Sequence, residues 1–212
     1  MESRILPVTA FQQNCTLLWC ERTRRAAIVD PGGEAQRILA LVEQLDLTPE
    51  CIVLTHGHVD HVGASGVVAS RLGVPIVGPH REDGFLIHAL PAQCQMFGFP
   101  PVPQFEPDRW LDDGDQLQIG DCVLSVIHCP GHTPGHVVLF DREGRLAQVG
   151  DVLFRGSIGR TDFPRGNHAQ LIDSIRNRLF PLGDDVRFIP GHGPMSSFGA
   201  ERLENPYVGE RA

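Results

Sequence analysis

Four short apolar runs in this chain each end in a loop that carries a side chain able to bind metal. Cys51–Leu54 leads into Thr55-His56-Gly57-His58-Val59-Asp60-His61, and Val123–His128 leads into Cys129-Pro130-Gly131-His132. Leu146–Val149 leads into Gly150-Asp151, and Val186–Ile189 into Pro190-Gly191-His192. Runs of this kind read as buried strands, and a glycine beside the polar residue permits close backbone approach. A fold that satisfies all four brings the carboxyl ends of several strands to one crevice, which is where layered α/β proteins place their ligand sites.

The pooled donors are His56, His58, His61, His132, His192, Asp60 and Asp151. A single four-coordinate ion cannot use seven donors, whereas two divalent ions sharing a bridging carboxylate can. Imidazole suits zinc or iron, and carboxylate without thiolate leaves manganese open. Zinc is the first expectation. The stretch from His56 to His61 puts three imidazoles and a carboxylate in one turn, an expensive arrangement without a cation to hold them. Asp30 and His136 read either as partners that orient a ligand imidazole or as ordinary turn residues. His80, His88 and His168 stand alone and read as hydrogen-bonded histidines without a ligand role.

The rest of the chain supports a layered α/β fold. Strands are predicted at Ser3–Val8, Cys15–Cys20 and Ala26–Val29, the last stopped by Asp30-Pro31-Gly32-Gly33. Apolar residues at 38, 39, 41, 42 and 45 predict a helix over Glu34–Leu47, and a second helix is expected over Val62–Leu72, closed by Gly73. Further strands are expected at Val74–Val77, Gln116–Ile119 and Val137–Asp141, and a further helix at His168–Leu179. Residues 79–109, rich in Phe, Pro, Gly and Met with weak periodicity, read as a long ordered loop, of which 91–105 is either a cover over the core, a substrate lid or a dimer surface.

At 212 residues, with no low-complexity linker, one domain is expected. All 18 cationic side chains are arginine, which excludes Schiff-base and P-loop lysine chemistry. The formal net charge of −8, without a basic patch, argues against nucleic acid as a partner. No apolar stretch is long enough to span a bilayer, the first residues lack a secretory pattern, and the six scattered cysteines read as reduced core residues. A cytoplasmic monomer or homodimer without membrane contact is the expectation.

THGHVDHVGA, PGHTPGH, Gly150-Asp151 and the late PGHGP resemble, in order and approximate spacing, the metallo-β-lactamase superfamily, and within it the short glyoxalase II-like hydroxyacylglutathione hydrolases. The resemblance covers nearly the whole chain. It implies a four-layer αββα sandwich over residues 1–212, without the separate C-terminal helical domain of glyoxalase II proper. It further implies that His56, His58 and His132 hold one ion, Asp60, His61 and His192 the other, and that Asp151 bridges them. The segment Gly159-Arg160-Thr161-Asp162-Phe163 occupies the place of the family's substrate-binding stretch, so Arg160 is a candidate for a substrate carboxylate. The implied activity is hydrolysis of S-D-lactoylglutathione or a related glutathione thioester, with Asp60 orienting the attacking water. A similar GRTDF segment in persulfide dioxygenases, which carry a single iron, and the shared ligands of lactonases supply the alternative activities.

Overall fold

The apolar runs are continuous because both faces of two sheets are covered, as in the computed structural model, which describes residues 1–211. The first sheet contains β1 (Glu2–Val8), β2 (Gln13–Trp19), β3 (Arg25–Val29), β4 (Thr48–Val53) and β5 (Ile76–Val77), in that spatial order. The second is built from β6 (Gln116–Ile119), β7 (Cys122–His128), β8 (Val137–Asp141) and β9 (Leu146–Gly150). The hairpin β10 (Leu153–Phe154) and β11 (Ser157–Ile158) follows, and then come β12 (Arg187–Pro190) and β13 (Ser196–Ser197). The order across this sheet is β13-β12-β9-β8-β7-β6, and β10 and β11 pair only with each other. Strands β3, β4 and β5 run parallel, as do β9 and β12, while the outer pairs are antiparallel.

Side-chain alternation separates three apolar layers. In β3, Ala26 and Ile28 face outward to the helices and Ala27 and Val29 face the other sheet; in β8, Val138 and Phe140 face outward and Val137 and Leu139 face inward. The inward residues of both sheets form the central layer, closed by Leu117, Ile119, Leu124 and Ile189. Helices α1 (Ala35–Gln44) and α3 (Ser65–Leu72) cover the first sheet, and Ile38, Val42 and Val68 are their buried contacts. This is the four-layer α/β sandwich expected.

Several elements differ from expectation. The helix foreseen over Val62–Leu72 is two helices, α2 (Val59–Val62) and α3, because the Ala64 N–H turns away to donate to the Pro31 carbonyl, 2.9 Å distant. Residues 79–109 are not all loop: a 3₁₀ turn (Arg81–Asp83), α4 (Gly84–His88) and α5 (Leu90–Phe97) bury Leu86, Ile87, Leu90 and Cys94. Pro91 lies in the first turn of α5, where its missing N–H costs nothing. Beyond α5, Phe99, Val102 and Phe105 pack on the first sheet's outer core. The helix at 168 continues from α6 (His168–Asp173) as a π-helical stretch, Ser174–Leu179. A last helix, α7 (Phe198–Glu204), was not foreseen; the Ser197 side chain accepts from the Ala200 N–H as its cap. All six cysteines are free thiols. No helix among the described residues is long and apolar enough to cross a membrane.

The two sheets are joined at the end where the His/Asp loops gather. The Asn14 N–H donates to the Gly191 carbonyl at 2.7 Å, and its side-chain amide donates to the carbonyls of Pro190 and Gly193 at 3.0 and 2.9 Å. The start of β2 thereby fixes the loop that carries His192.

Candidate metal centre

His56 and His58 lie in the turn after β4, Asp60 and His61 on α2, His132 after β7, Asp151 after β9 and His192 after β12. All seven expected residues meet in one place. Donor atoms of His56, His58 and His132 lie within 4.8 Å of one another, as do those of Asp60, His61 and His192. His58 Nδ1 is 3.1 Å from His56 Nε2 and 3.0 Å from His132 Nε2. The Asp151 carboxylate stands between the two groups, 3.6 Å from His132 Nε2, 3.4 Å from His61 Nε2 and 3.6 Å from His192 Nε2. His192 Nε2 is also 3.2 Å from Asp60 Oδ2.

Glycines make this convergence possible. A Cβ at Gly191 would stand 2.0 Å from Asp151 Oδ1, and one at Gly32 would stand 1.4 Å from the Asp60 carbonyl oxygen. Any side chain at either position would displace a donor.

The outer nitrogens set the tautomers. His132 Nδ1 is 2.7 Å from the Arg160 carbonyl and His192 Nδ1 is 3.1 Å from the Phe11 carbonyl, so each donates an N–H there. His61 Nδ1 donates to Asp30 Oδ2 at 2.8 Å. Thr55 Oγ1 donates to that carboxylate at 2.6 Å and therefore accepts from His56 Nδ1 at 3.0 Å. The Nε2 atoms of these four histidines are left facing the centre, the orientation an imidazole takes as a metal ligand. His61 Nε2 and Asp151 Oδ1 are buried without any hydrogen-bond partner among the described residues. Buried polar atoms left unpaired are costly, and a cation satisfies both, so the donor set fits metal.

Electrostatics divides the set. Burial holds His56 well below the ordinary imidazole range, pushes His58 down to about 3 and lowers His132, and the crowding of other imidazoles adds to the effect. For His61, burial works the other way from its neighbours, and Asp151, Asp60 and Asp30 together raise it well above that range. His192 is raised against its burial by Asp60 and Asp151. Burial opposes ionisation of Asp60 and Asp151 too, yet His61 and the other imidazoles keep both carboxyls below the usual range.

Asp30 supports His61 rather than terminating a turn idly. Its backbone holds φ 50°, in the left-handed region where Asp is enriched, and its second oxygen accepts from the Thr55 N–H at 2.7 Å. His136 accepts from the Asp151 N–H at 3.0 Å through Nε2 and stacks on His56 with ring centroids 4.7 Å apart.

The centre opens into a cavity of about 680 Å³ walled by Phe11, Phe97, Phe154 and Phe163, with Arg155 and Arg160 as its basic residues. Arg160 is not free. Its guanidinium makes a two-point ion pair with Asp162, at 2.9 and 2.7 Å, and lies 4.5 Å over the Phe163 ring.

Residues 8–192 match the family model of the metallo-beta-lactamase superfamily. The chain belongs to that superfamily. A hydroxyacylglutathione hydrolase, GloC, of Haemophilus influenzae is 47% identical over 213 residues, with all of both chains covered. Among solved structures, the B3 metallo-beta-lactamase BLEG-1 superposes with TM-score 0.90 and 34% identity, over 98% of this chain and 99% of its own. TTHA1623, in a di-iron-bound form, gives TM-score 0.88 and 36% identity over 96% and 99%.

Within this superfamily fold, two side chains that the sequence did not single out brace the ligand loops. Asp83, fully buried, accepts from the Gly57 N–H at 2.9 Å, the Thr133 hydroxyl at 2.8 Å and the Gly135 N–H at 2.5 Å. It thus ties the His56–His58 turn to the His132 loop, and burial pushes its carboxyl up to about 6. Gln93 accepts from the Val59 N–H at 3.0 Å and donates to the carbonyls of Gly57 and Leu86 at 3.2 and 2.8 Å. Both come from the segment read as loop.

Proposed function

We propose that the chain is a hydrolase of glutathione thioesters, S-D-lactoylglutathione first among them, that works with two divalent metal ions. The observation that carries this reading is the carboxylate of Asp151 standing within 3.6 Å of imidazoles from both groups. The full-length likeness to a hydroxyacylglutathione hydrolase supports the substrate. His56, His58 and His132 would hold one ion, Asp60, His61 and His192 the other, with Asp151 shared. The ions supply Lewis acidity and bring the pKa of water near neutrality. Zinc heads the candidates for this His/Asp set, with iron and manganese next.

The chain's own residues supply position and exclusion. Asp60 lines the cavity as an ionised carboxylate, so it accepts a hydrogen bond from the attacking water and fixes its orientation. The Phe97 and Phe163 rings are apolar walls of the cavity and would keep bulk water from a bound substrate. A thiol with pKa about 8.5 departs as thiolate, so no proton donor at the leaving group is required. A single-iron dioxygenase would leave Asp60, His61 and His192 converging with no cation to hold. A lactonase would use the same donors on a neutral ring.

The test is the rate of S-D-lactoylglutathione hydrolysis by metal-loaded and chelated protein, with Asp60→Asn alongside. Turnover that needs metal and falls at least about a hundredfold in the variant is expected. No turnover in any metal form would sink the reading, and oxygen uptake with glutathione persulfide would replace it.

A further inference from the structure

We propose that Arg155, at the tip of the β10–β11 hairpin, selects thioesters that carry a carboxylate remote from the scissile carbonyl, and that Arg160 does not. The inference rests on the thioester-hydrolase reading and names the residue that recognises the thiol half. Among the described residues, two arginines line the cavity, Arg155 and Arg160, besides the histidines of the centre. The fork of Arg160 is spent on Asp162. Arg155 is exposed at the mouth and has neither an ion-pair nor a hydrogen-bond partner among the described residues. In a chain of net charge −8, a guanidinium without an acidic partner at the mouth of the cavity is where an anionic substrate gains a contact.

The hairpin that presents Arg155 is held from behind by α7. Glu201, buried, accepts from the Gly156 N–H at 2.8 Å, from the Asn205 amide at 2.9 Å and from the Ser196 hydroxyl at 2.5 Å. The Asn205 amide also donates to the Ser157 carbonyl at 3.0 Å. The Phe154 ring, next to Arg155, rests edge-on against His192 with centroids 6.3 Å apart. A two-residue hairpin has little stability of its own, so this buried network is what holds the tip at a set distance from His192. A carboxylate reaching the mouth meets a planar fork suited to two-point binding, carried on a backbone that this network fixes.

Two readouts test the assignment, each on metal-loaded protein with melting temperature and metal content checked. The first is binding of S-methylglutathione, a thioether that cannot be hydrolysed, by titration calorimetry. The second is the ratio of kcat/KM for S-D-lactoylglutathione to that for the neutral lactoyl thioester of N-acetylcysteamine. Arg155→Gln is expected to weaken S-methylglutathione about tenfold and to lower the ratio about tenfold through KM, with Arg155→Lys recovering part of both. Arg160→Gln is expected to move the ratio less than about twofold. Arg155→Gln values within about twofold of wild type, or a tenfold loss in Arg160→Gln instead, would overturn the assignment. If the wild type binds S-methylglutathione but cleaves no thioester, the hydrolase reading fails and the binding titration still decides Arg155. If it cleaves the thioester without binding S-methylglutathione, Arg155 fails and the hydrolase reading stands.

Discussion

His56, His58 and His132 face one another as three imidazoles that burial keeps neutral, whereas His61 and His192 share their space with Asp60 and Asp151 and are drawn toward the protonated form. The two groups lie side by side at one end of the same sandwich, so the contrast comes from the carboxylates and their placement. The first group offers lone pairs without charge. The second is a cluster of negative charge that wants a cation, and a proton serves when nothing better is present. Asp151 belongs to both, and the largest effects are expected where the two groups are coupled through it.

Asp151→Asn breaks the comparison outright. It takes charge from both groups and places an amide N–H₂ among lone pairs, so both metal affinities are expected to fall and kcat/KM for lactoylglutathione to drop about a thousandfold or more. Metal analysis after dialysis checks the first point; retention of both ions would show that Asp151 is not shared. His132→Ala and Asp60→Asn separate the halves. The first variant is expected to lose one ion while Asp60, His61 and His192 keep theirs, and the second to do the reverse, so that each binds about one ion per chain. Loss of both ions in either variant would mean that the groups do not fill independently.

The supports sharpen the comparison at smaller cost. Asp30→Asn loosens His61, and Asp83→Asn loosens the His56–His58 turn and the His132 loop together. Each is expected to weaken metal at its own group about ten- to a hundredfold, measured by competition with a chelator. If Asp83→Asn weakens the Asp60 side as strongly, Asp83 is a general brace and not specific to the imidazole group.

These residues also mark how far the sequence could be read. His-X-His-X-Asp-His, which few turns tolerate without an ion, and three further strand-end loops were enough to name seven candidate donors, and the structure brings these seven together. The layers were legible for a related reason: strands covered on both faces lose their polar alternation. Asp83 and Gln93 were not legible, since their partners lie in remote turns and their own segment is broken by prolines, of which Pro91 turns out to lie in the first turn of a helix. The β10–β11 hairpin and α7 were too short to carry a periodic signal. Arg160 was visible as a cation in the right segment, but its pairing with Asp162, two residues on, was the detail that decides its availability.

The smallest effect tests the electrostatic contrast itself. An ion entering the His56, His58 and His132 group at pH 7 displaces no proton, because those imidazoles are already neutral above their lowered values. An ion entering the Asp60, His61 and His192 group must displace the protons that His61 and His192 hold. The sign follows: affinity at the second group rises with pH until the raised imidazole values are passed, while affinity at the first shows no such rise once pH is above the lowered values of its imidazoles. Calorimetric zinc titrations of Asp60→Asn and His132→Ala in buffers of different ionisation enthalpy report the released protons for each group. Net release confined to the His132→Ala protein is the expected result. Equal release from both would mean that Asp60, His61 and His192 are no more proton-loaded than the imidazole trio, and the division between the two halves would be one of position only.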